Sequence, residues 1–168
     1  MPNCRLSILR SLLLAALAAS GTAAAQKAVI VVRHAENTKD TLTEAGRARA
    51  KRLAKMLESS GVSAVYSTDT KRTLGTATPL AAARKLPVTP YDVGDEASGV
   101  DARPFVSKLR RDHPGDVVLV VGHSNTVPAL LKALGCSEEI TIARRQHDDL
   151  FVVVPNGNEG SILVRLKY

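Results

Sequence analysis

Two short stretches constrain this chain more than anything else in it: "VIVVRHAEN" (29–37) and "VVLVVGHSN" (117–125). Each opens on a run of apolar, mostly β-branched residues, the pattern of a strand buried on both faces. Each then meets a histidine with hardly a residue between, His34 by way of Arg33 and His123 by way of Gly122. A strand buried on both faces implies a helix-covered, mostly parallel sheet. Polar groups collected at the ends of its strands imply a site.

The rest of the chain has the alternation such a sheet needs. Strand-like segments run over 27–33, 62–67 ("VSAVYS") and 116–122, with a short extended piece at "PVTPYD". Between them lie helical patterns. In "TLTEAGRARAKRLAKMLESSG", Thr41 and Glu44 fit a capping box, Ala50, Leu53, Ala54 and Leu57 share one face, and Gly61 is a stop signal. Residues 71–86 read as a helix that Pro79 kinks or breaks. Asp101 to Asp112 is a third helix, with Pro104 suited to its first turn, and Thr126 to Leu134 a fourth, closed by Gly135. "LFVVVPNGNEGSILVRL" reads as a terminal hairpin turning at Asn156-Gly157 and Gly160. The expected fold is α/β: a three-layer sandwich with a mostly parallel central sheet flanked by helices and a C-terminal hairpin.

The first 25 residues are set apart. Arg5 and Arg10 precede an apolar run, Leu12 to Ala19, and Ala23-Ala24-Ala25 follows. That is the order of a secretory signal peptide, with cleavage expected after Ala25. The run is too short for a bilayer span, and Cys4 lies before it, where a lipoprotein needs its cysteine after. The expectation is an exported protein, periplasmic or secreted, with residues 26–168 as one domain and no stable membrane insertion. The full chain carries a formal charge of +7, and loss of Arg5 and Arg10 leaves it basic, which favours anionic ligands. Aromatic residues are 3% of the chain, too few for nucleic-acid stacking platforms. Arg47, Arg49, Lys51, Arg52 and Lys55 read as the wet face of the first helix. Cys136, the only cysteine after the leader, reads as a small core thiol.

In a parallel sheet, Arg33-His34, the loop from Ser67 to Arg72, and His123 come to one rim. Two arginines and two imidazoles repel one another unless an anion joins them. A phosphoryl group fits, because the guanidinium fork matches its oxygens and a neutral imidazole can attack its phosphorus.

Four segments, in order, resemble the histidine phosphatase superfamily, the phosphoglycerate-mutase-like fold. "VVRHAEN" resembles its Arg-His-Gly-Glu signature, "LTEAGRARAKRLAKML" the helix after it, "VYSTDTKRTLGTATPLA" the second-arginine segment and "VLVVGHSNTV" the second-histidine segment. The resemblance implies that His34 is a nucleophile forming phosphohistidine, that Arg33 and Arg72 clamp the phosphoryl oxygens, and that His123 adds a hydrogen bond or positive charge. Glu36 matches the signature's acidic position, and Asn37 and Asn125 are neighbours placed to touch phosphate or hold the histidines. Ala35 stands at the signature glycine, where a backbone carbonyl steadies the histidine, and alanine supplies one too. For the general acid, Asp95 and Glu96 are the candidates. Without one, the enzyme favours good leaving groups such as phosphoramidates, or a substrate that supplies its own proton. The implied enzyme is a phosphoric monoester hydrolase of the short, minimal branch, acting on small-molecule or glycan phosphates with no cofactor and no metal. Oligomeric state is left open.

Other readings compete. His34 and His123 can be satisfied core histidines. His113 reads as surface, His147 as a cap or flank of the last hairpin with a pocket role as the alternative, and Asp148 and Asp149 as partners of nearby arginines. Two histidines with Asp148 or Asp149 are a thin zinc set beside Arg33. Ser124 next to His123 lacks the G-x-S-x-G elbow. The stronger rival is a non-catalytic module of the cell envelope that binds phosphorylated ligands.

Overall fold

The computed structural model describes residues 27–94 and 99–168. The leader and both carboxylates proposed as general acid, Asp95 and Glu96, lie outside the described residues. Strand β1 (Ala28–Arg33) is followed by a two-strand ribbon, β2 (Asn37–Thr38) and β3 (Thr41–Leu42), and by helix α1 (Glu44–Met56). Then come β4 (Val62–Ser67), α2 (Lys71–Arg84), β5 (Val88–Pro90), α3 (Arg103–Asp112), β6 (Val117–Gly122) and α4 (Thr126–Ala133). Strands β7 (Asp149–Pro155) and β8 (Ser161–Lys167) close the chain as a hairpin. The main sheet has the order β5-β4-β6-β1-β7-β8; the first four strands run parallel, and β7 and β8 are antiparallel additions.

The unbroken apolar runs of β1 and β6 are explained by what covers them. Val29, Val31, Val118 and Val120 pack with Phe105, Leu109 and Leu130 of α3 and α4. Ile30, Val32, Leu119 and Val121 pack on the other face with Leu53, Ala77 and Leu80 of α1 and α2. Alternate residues of one strand thus enter two separate cores, which is why neither strand shows a polar period. In β4 the alternation slips: Val62 pairs with Val117 but Ala64 with Val118, so Ser63 is an extra bulged residue and Val62 and Val65 face the same core.

Several local expectations shift. The cap of α1 is Thr43, whose hydroxyl accepts from the Gly46 amide, while Thr41 belongs to β3; a cap must stand directly before the first helical residue, Glu44. Gly61 lies beyond the helix, in the left-handed turn into β4 (φ 76°). Helix α2 runs through Pro79, held by the burial of Ala77, Leu80 and Ala81 on either side. It ends on Lys85 in the left-handed region (φ 56°), with Leu86 N donating to Ala81 O and Lys85 N to Ala82 O. Because a non-glycine residue is strained there, Lys85→Gly should stabilise the fold by about 1 kcal/mol in a denaturant titration. Arg49 is not part of a free wet face: it forks onto Glu36 and donates to the Tyr168 carbonyl. His113 is half-buried between the Tyr66 hydroxyl and Asp116. Asp149 pairs with Arg165 as expected, but also with Lys167, and Asp148 pairs with Lys167 rather than an arginine. Cys136 is buried and free. Among the described residues no helix is long and apolar enough to cross a membrane.

Candidate active site

The parallel register of β1 and β6 brings the two histidines together. Arg33 lies beside Gly122, and the next amide, His34 N, donates to Gly122 O at 2.9 Å, carrying the ladder one residue past the strand. The His34 and His123 rings meet edge to face with centroids 5.4 Å apart. Strand β4, on the other side of β6, ends at Ser67 opposite Val121 and delivers Thr68 and the start of α2 to the same rim. Arg72 sits in that first helical turn. Together with Asn37 and Asn125, these residues line a cavity of about 840 Å³ at the carboxyl ends of the parallel strands.

Gly122 is required by this convergence. A Cβ there would lie 2.6 Å from Thr126 Oγ1 and 2.8 Å from the Tyr91 hydroxyl. The first of these atoms accepts the His123 amide (2.8 Å) and the second donates to Val121 O. Gly122→Ala should therefore displace His123. We expect a loss of about 1–3 kcal/mol in stability, with activity falling further than stability does, read by denaturation and turnover on one preparation.

His34 is almost fully buried, at 4% exposure. Its Nδ1–H donates to the Ala35 carbonyl at 2.9 Å. That peptide is fixed in turn: Ala35 N donates to Thr76 Oγ1, whose own hydroxyl donates to Arg72 O. Ala35 does not adopt a positive φ, so the site makes no use of a glycine's freedom there. With Nδ1 engaged, Nε2 carries the lone pair. Burial, reinforced by the charges of Arg33, His123 and Arg72 and opposed by the Ala35 bond, holds the His34 pKa down to about 3. Burial first, then Arg72 and Arg33, holds His123 to about 4, with Asp40 opposing. Both rings are neutral at neutral pH.

These depressed values make the stability pH-dependent. The unfolded rings titrate near 6.5, so below that pH the unfolded chain takes up protons that the folded chain refuses. Their contribution is complete above about 6.5 and is lost as the pH falls toward about 4. The denaturation midpoint should drop between about pH 7 and pH 5, and by less in His123→Gln.

The arginines are held from behind. Arg33 Nη1 donates to the carbonyls of Ala143, Arg144 and Gln146 (2.9–3.1 Å), and its Nε is buried with no hydrogen-bond partner among the described residues. Burial, then the nearby Arg72 charge, lowers the Arg33 pKa. Arg72 Nη1 donates to Asp40 Oδ1 at 2.7 Å, and Asp40 Oδ2 also accepts the Lys71 amide. Two rigidly mounted cations beside a neutral imidazole with a free lone pair can bind a tetrahedral dianion and present a nucleophile to it.

Of the residues singled out in the sequence, Arg33, His34, Asn37, Arg72, His123 and Asn125 converge on this cavity. Glu36 does not. Its carboxylate is taken by Arg49 at 2.7–2.9 Å, and its carbonyl is pressed so close to α1 that a Cβ on Gly46 would lie 2.0 Å away. Asp40, Thr68, Asp69 and Asp92 escaped the sequence, and of the two readings of His147 the one at the site is nearer the structure. His147 is no hairpin cap: its Nδ1–H donates to the His34 carbonyl at 2.8 Å, with the two rings 5.4 Å apart. Asp69 and Asp92 are the carboxylates lining the cavity among the described residues, and Asp92 stands in the same "YDVGDEASG" segment as Asp95 and Glu96. No group of three or more His, Cys, Asp or Glu among the described residues is arranged to hold a metal ion.

Residues 21–99 match the histidine phosphatase superfamily (branch 1). No curated protein matches the sequence. Solved structures share the fold. A mycobacterial glucosyl-3-phosphoglycerate phosphatase complexed with VO3 aligns over 84% of this chain and 98% of its own (TM-score 0.63, 19% identity). A putative phosphohistidine phosphatase from Agrobacterium tumefaciens aligns over 84% and 99% (0.62, 19%). A phosphoserine phosphatase mutant from Entamoeba histolytica in complex with phosphoserine aligns over 82% and 94% (0.63, 13%).

Proposed function

We propose that this chain is a phosphatase of the histidine phosphatase superfamily that hydrolyses phosphate monoesters or phosphoramidates through a phosphohistidine on His34. The observation that carries the reading is the state of His34: Nδ1 fixed on the Ala35 carbonyl, Nε2 unprotonated, and the ring lining the same cavity as Arg33 and Arg72. In the first step His34 Nε2 attacks phosphorus, the new N–P bond forms, and the ester P–O bond, or the P–N bond of a phosphoramidate, breaks. The leaving oxygen takes a proton from a cavity carboxyl or departs as a stable anion. In the second step water attacks the phosphohistidine, the N–P bond breaks, and His34 returns neutral with release of inorganic phosphate. Arg33 and Arg72 neutralise the equatorial oxygens in both steps.

Structural neighbours are named for glucosyl-3-phosphoglycerate and phosphoserine, and one as a putative phosphohistidine phosphatase, which supports trying both O–P and N–P substrates. The open cavity suits small or glycan-linked phosphates. We read the first 25 residues as an export signal, which makes phosphorylated components of the cell envelope the substrates to try first.

The test is release of inorganic phosphate from an aryl phosphate by the full chain, with a search for an acid-labile, alkali-stable phosphorylated protein during turnover. Release with such an intermediate supports the reading. A folded protein that binds orthophosphate and releases none from the aryl ester is a phospho-ligand binding module instead.

A further inference from the structure

The His123 ring is gripped at both nitrogens. Nε2 lies 2.8 Å from Thr68 Oγ1, and Nδ1 lies 3.3 Å from Arg72 Nη2. A guanidinium only donates, so Nδ1 must accept and the proton of the neutral ring must sit on Nε2. The threonine is arranged to receive it. Thr68 donates its own hydroxyl hydrogen to Thr73 Oγ1 at 3.0 Å, and the Thr73 hydroxyl, fully buried, donates to the carbonyls of Thr68 (2.8 Å) and Thr70 (3.0 Å). The relay runs one way, from imidazole to Thr68 to Thr73 to backbone carbonyl.

We propose that Thr68 is a positioning residue that keeps the proton of neutral His123 on Nε2, so that His123 turns unprotonated Nδ1 toward the phosphoryl site and takes up a proton there when a phosphoryl group binds. This rests on the phosphatase reading for the identity of the ligand, not for the tautomer. When Arg72 turns its fork to phosphoryl oxygens, Nδ1 is left lone pair against lone pair with the anion. A proton from solvent resolves the clash. The imidazolium then donates Nδ1–H to a phosphoryl oxygen and Nε2–H to Thr68. The charged and titratable groups that act on the ring are Arg33 at the end of β1, His34 directly after it, Arg72 from α2 and Asp40 from the β2–β3 turn, and Asp69 and Asp92 line the same cavity. In the unliganded site burial, reinforced by Arg72 and Arg33, keeps the ring neutral, whereas a bound dianion offsets the two arginine charges.

The experiment uses full-length protein labelled with ¹⁵N-histidine, with sulfate as the probe because its charge is constant near neutral pH. Long-range ¹H–¹⁵N spectra report which ring nitrogen carries hydrogen. The expected result is an Nε2–H tautomer for unliganded His123 and protonation of Nδ1 on saturation with sulfate. Thr68→Val should admit the Nδ1–H tautomer, because the hold that remains, Arg72 at 3.3 Å, is the longer contact and its guanidinium can turn away, and Thr68→Ser should keep Nε2–H. In turnover, loss of the Thr68 acceptor removes a bond that favours imidazolium. The alkaline limb of kcat should therefore move to lower pH by on the order of one unit in Thr68→Val and return in Thr68→Ser. An Nδ1–H tautomer in the unliganded wild type, sulfate binding without Nδ1 protonation, or a Thr68→Val rate that falls equally at every pH would each overturn the proposal. The unliganded spectrum needs neither ligand nor turnover. An inactive protein with the Nε2–H tautomer would fail the phosphatase reading alone, and an active one with Nδ1–H would fail this inference alone.

Discussion

His34→Ala is expected to lower turnover of an aryl phosphate by at least about 10⁴-fold, to background, while leaving a folded protein that still binds orthophosphate. The size follows from the role. Removing an arginine weakens charge neutralisation and leaves chemistry in place. Removing the imidazole removes the atom that bonds to phosphorus, and nothing nearby replaces it: His123 presents to the cavity a nitrogen engaged with Arg72, and His147 is occupied by the His34 carbonyl. Folding should survive, because His34 contributes one side-chain bond, to its own neighbour Ala35, and the backbone bond to Gly122 remains. Phosphate binding should survive because Arg33 and Arg72 are mounted on carbonyls and on Asp40, not on His34. Retained turnover in His34→Ala would sink the phosphohistidine mechanism, and calorimetry on the same variant would show whether the anion site remained.

The second large effect depends on the substrate. Asp92→Asn should slow hydrolysis of an alkyl phosphate by about 10²–10⁴-fold and that of an activated aryl phosphate by less than about 10-fold. Asp92 lines the cavity, and an alkoxide needs a proton to leave whereas a nitrophenolate does not. Asparagine keeps the Oδ1 that accepts the Gly94 amide, so the turn is preserved while the acid is lost. Asp95→Asn and Glu96→Gln serve as controls from the same segment. Equal losses on both substrates in Asp92→Asn would assign Asp92 to binding, and a leaving-group effect in a control instead would move the acid there.

Much of this was legible in the residues because strands buried on both faces have no polar period to confuse them. β1 and β6 read directly from their apolar runs, and once a parallel sheet was inferred, His34, His123 and Arg72 had to share a rim. What stayed hidden depends on side-chain direction. Glu36 belongs to the signature segment, yet its carboxylate is drawn off to Arg49 by the packing of α1 against the loop. Asp40 and Thr68 look like ordinary turn residues, and only the placement of α2 against β6 turns one onto Arg72 and the other onto His123. His147 is distant in sequence from everything it touches, and no local pattern could place its ring behind His34. The cap of α1 lies two residues past its sequence signal because Thr41-x-x-Glu44 has the capping-box spacing, whereas the true cap, Thr43, has Gly46 at the third position.

The pairing of β1 with β6 has one more consequence. Strands 28–33 and 117–122 are far apart along the chain, and the rim they form is completed by β4 and by the carbonyls of 143–146. No contiguous segment contains the site. A fragment or a nascent chain that ends before residue 123 lacks the assembled site, however well its first half has folded. The protein has no tryptophan to report its own folding. On the proposed phosphatase reading, the first phosphate released marks the moment at which the two halves of the polypeptide have met.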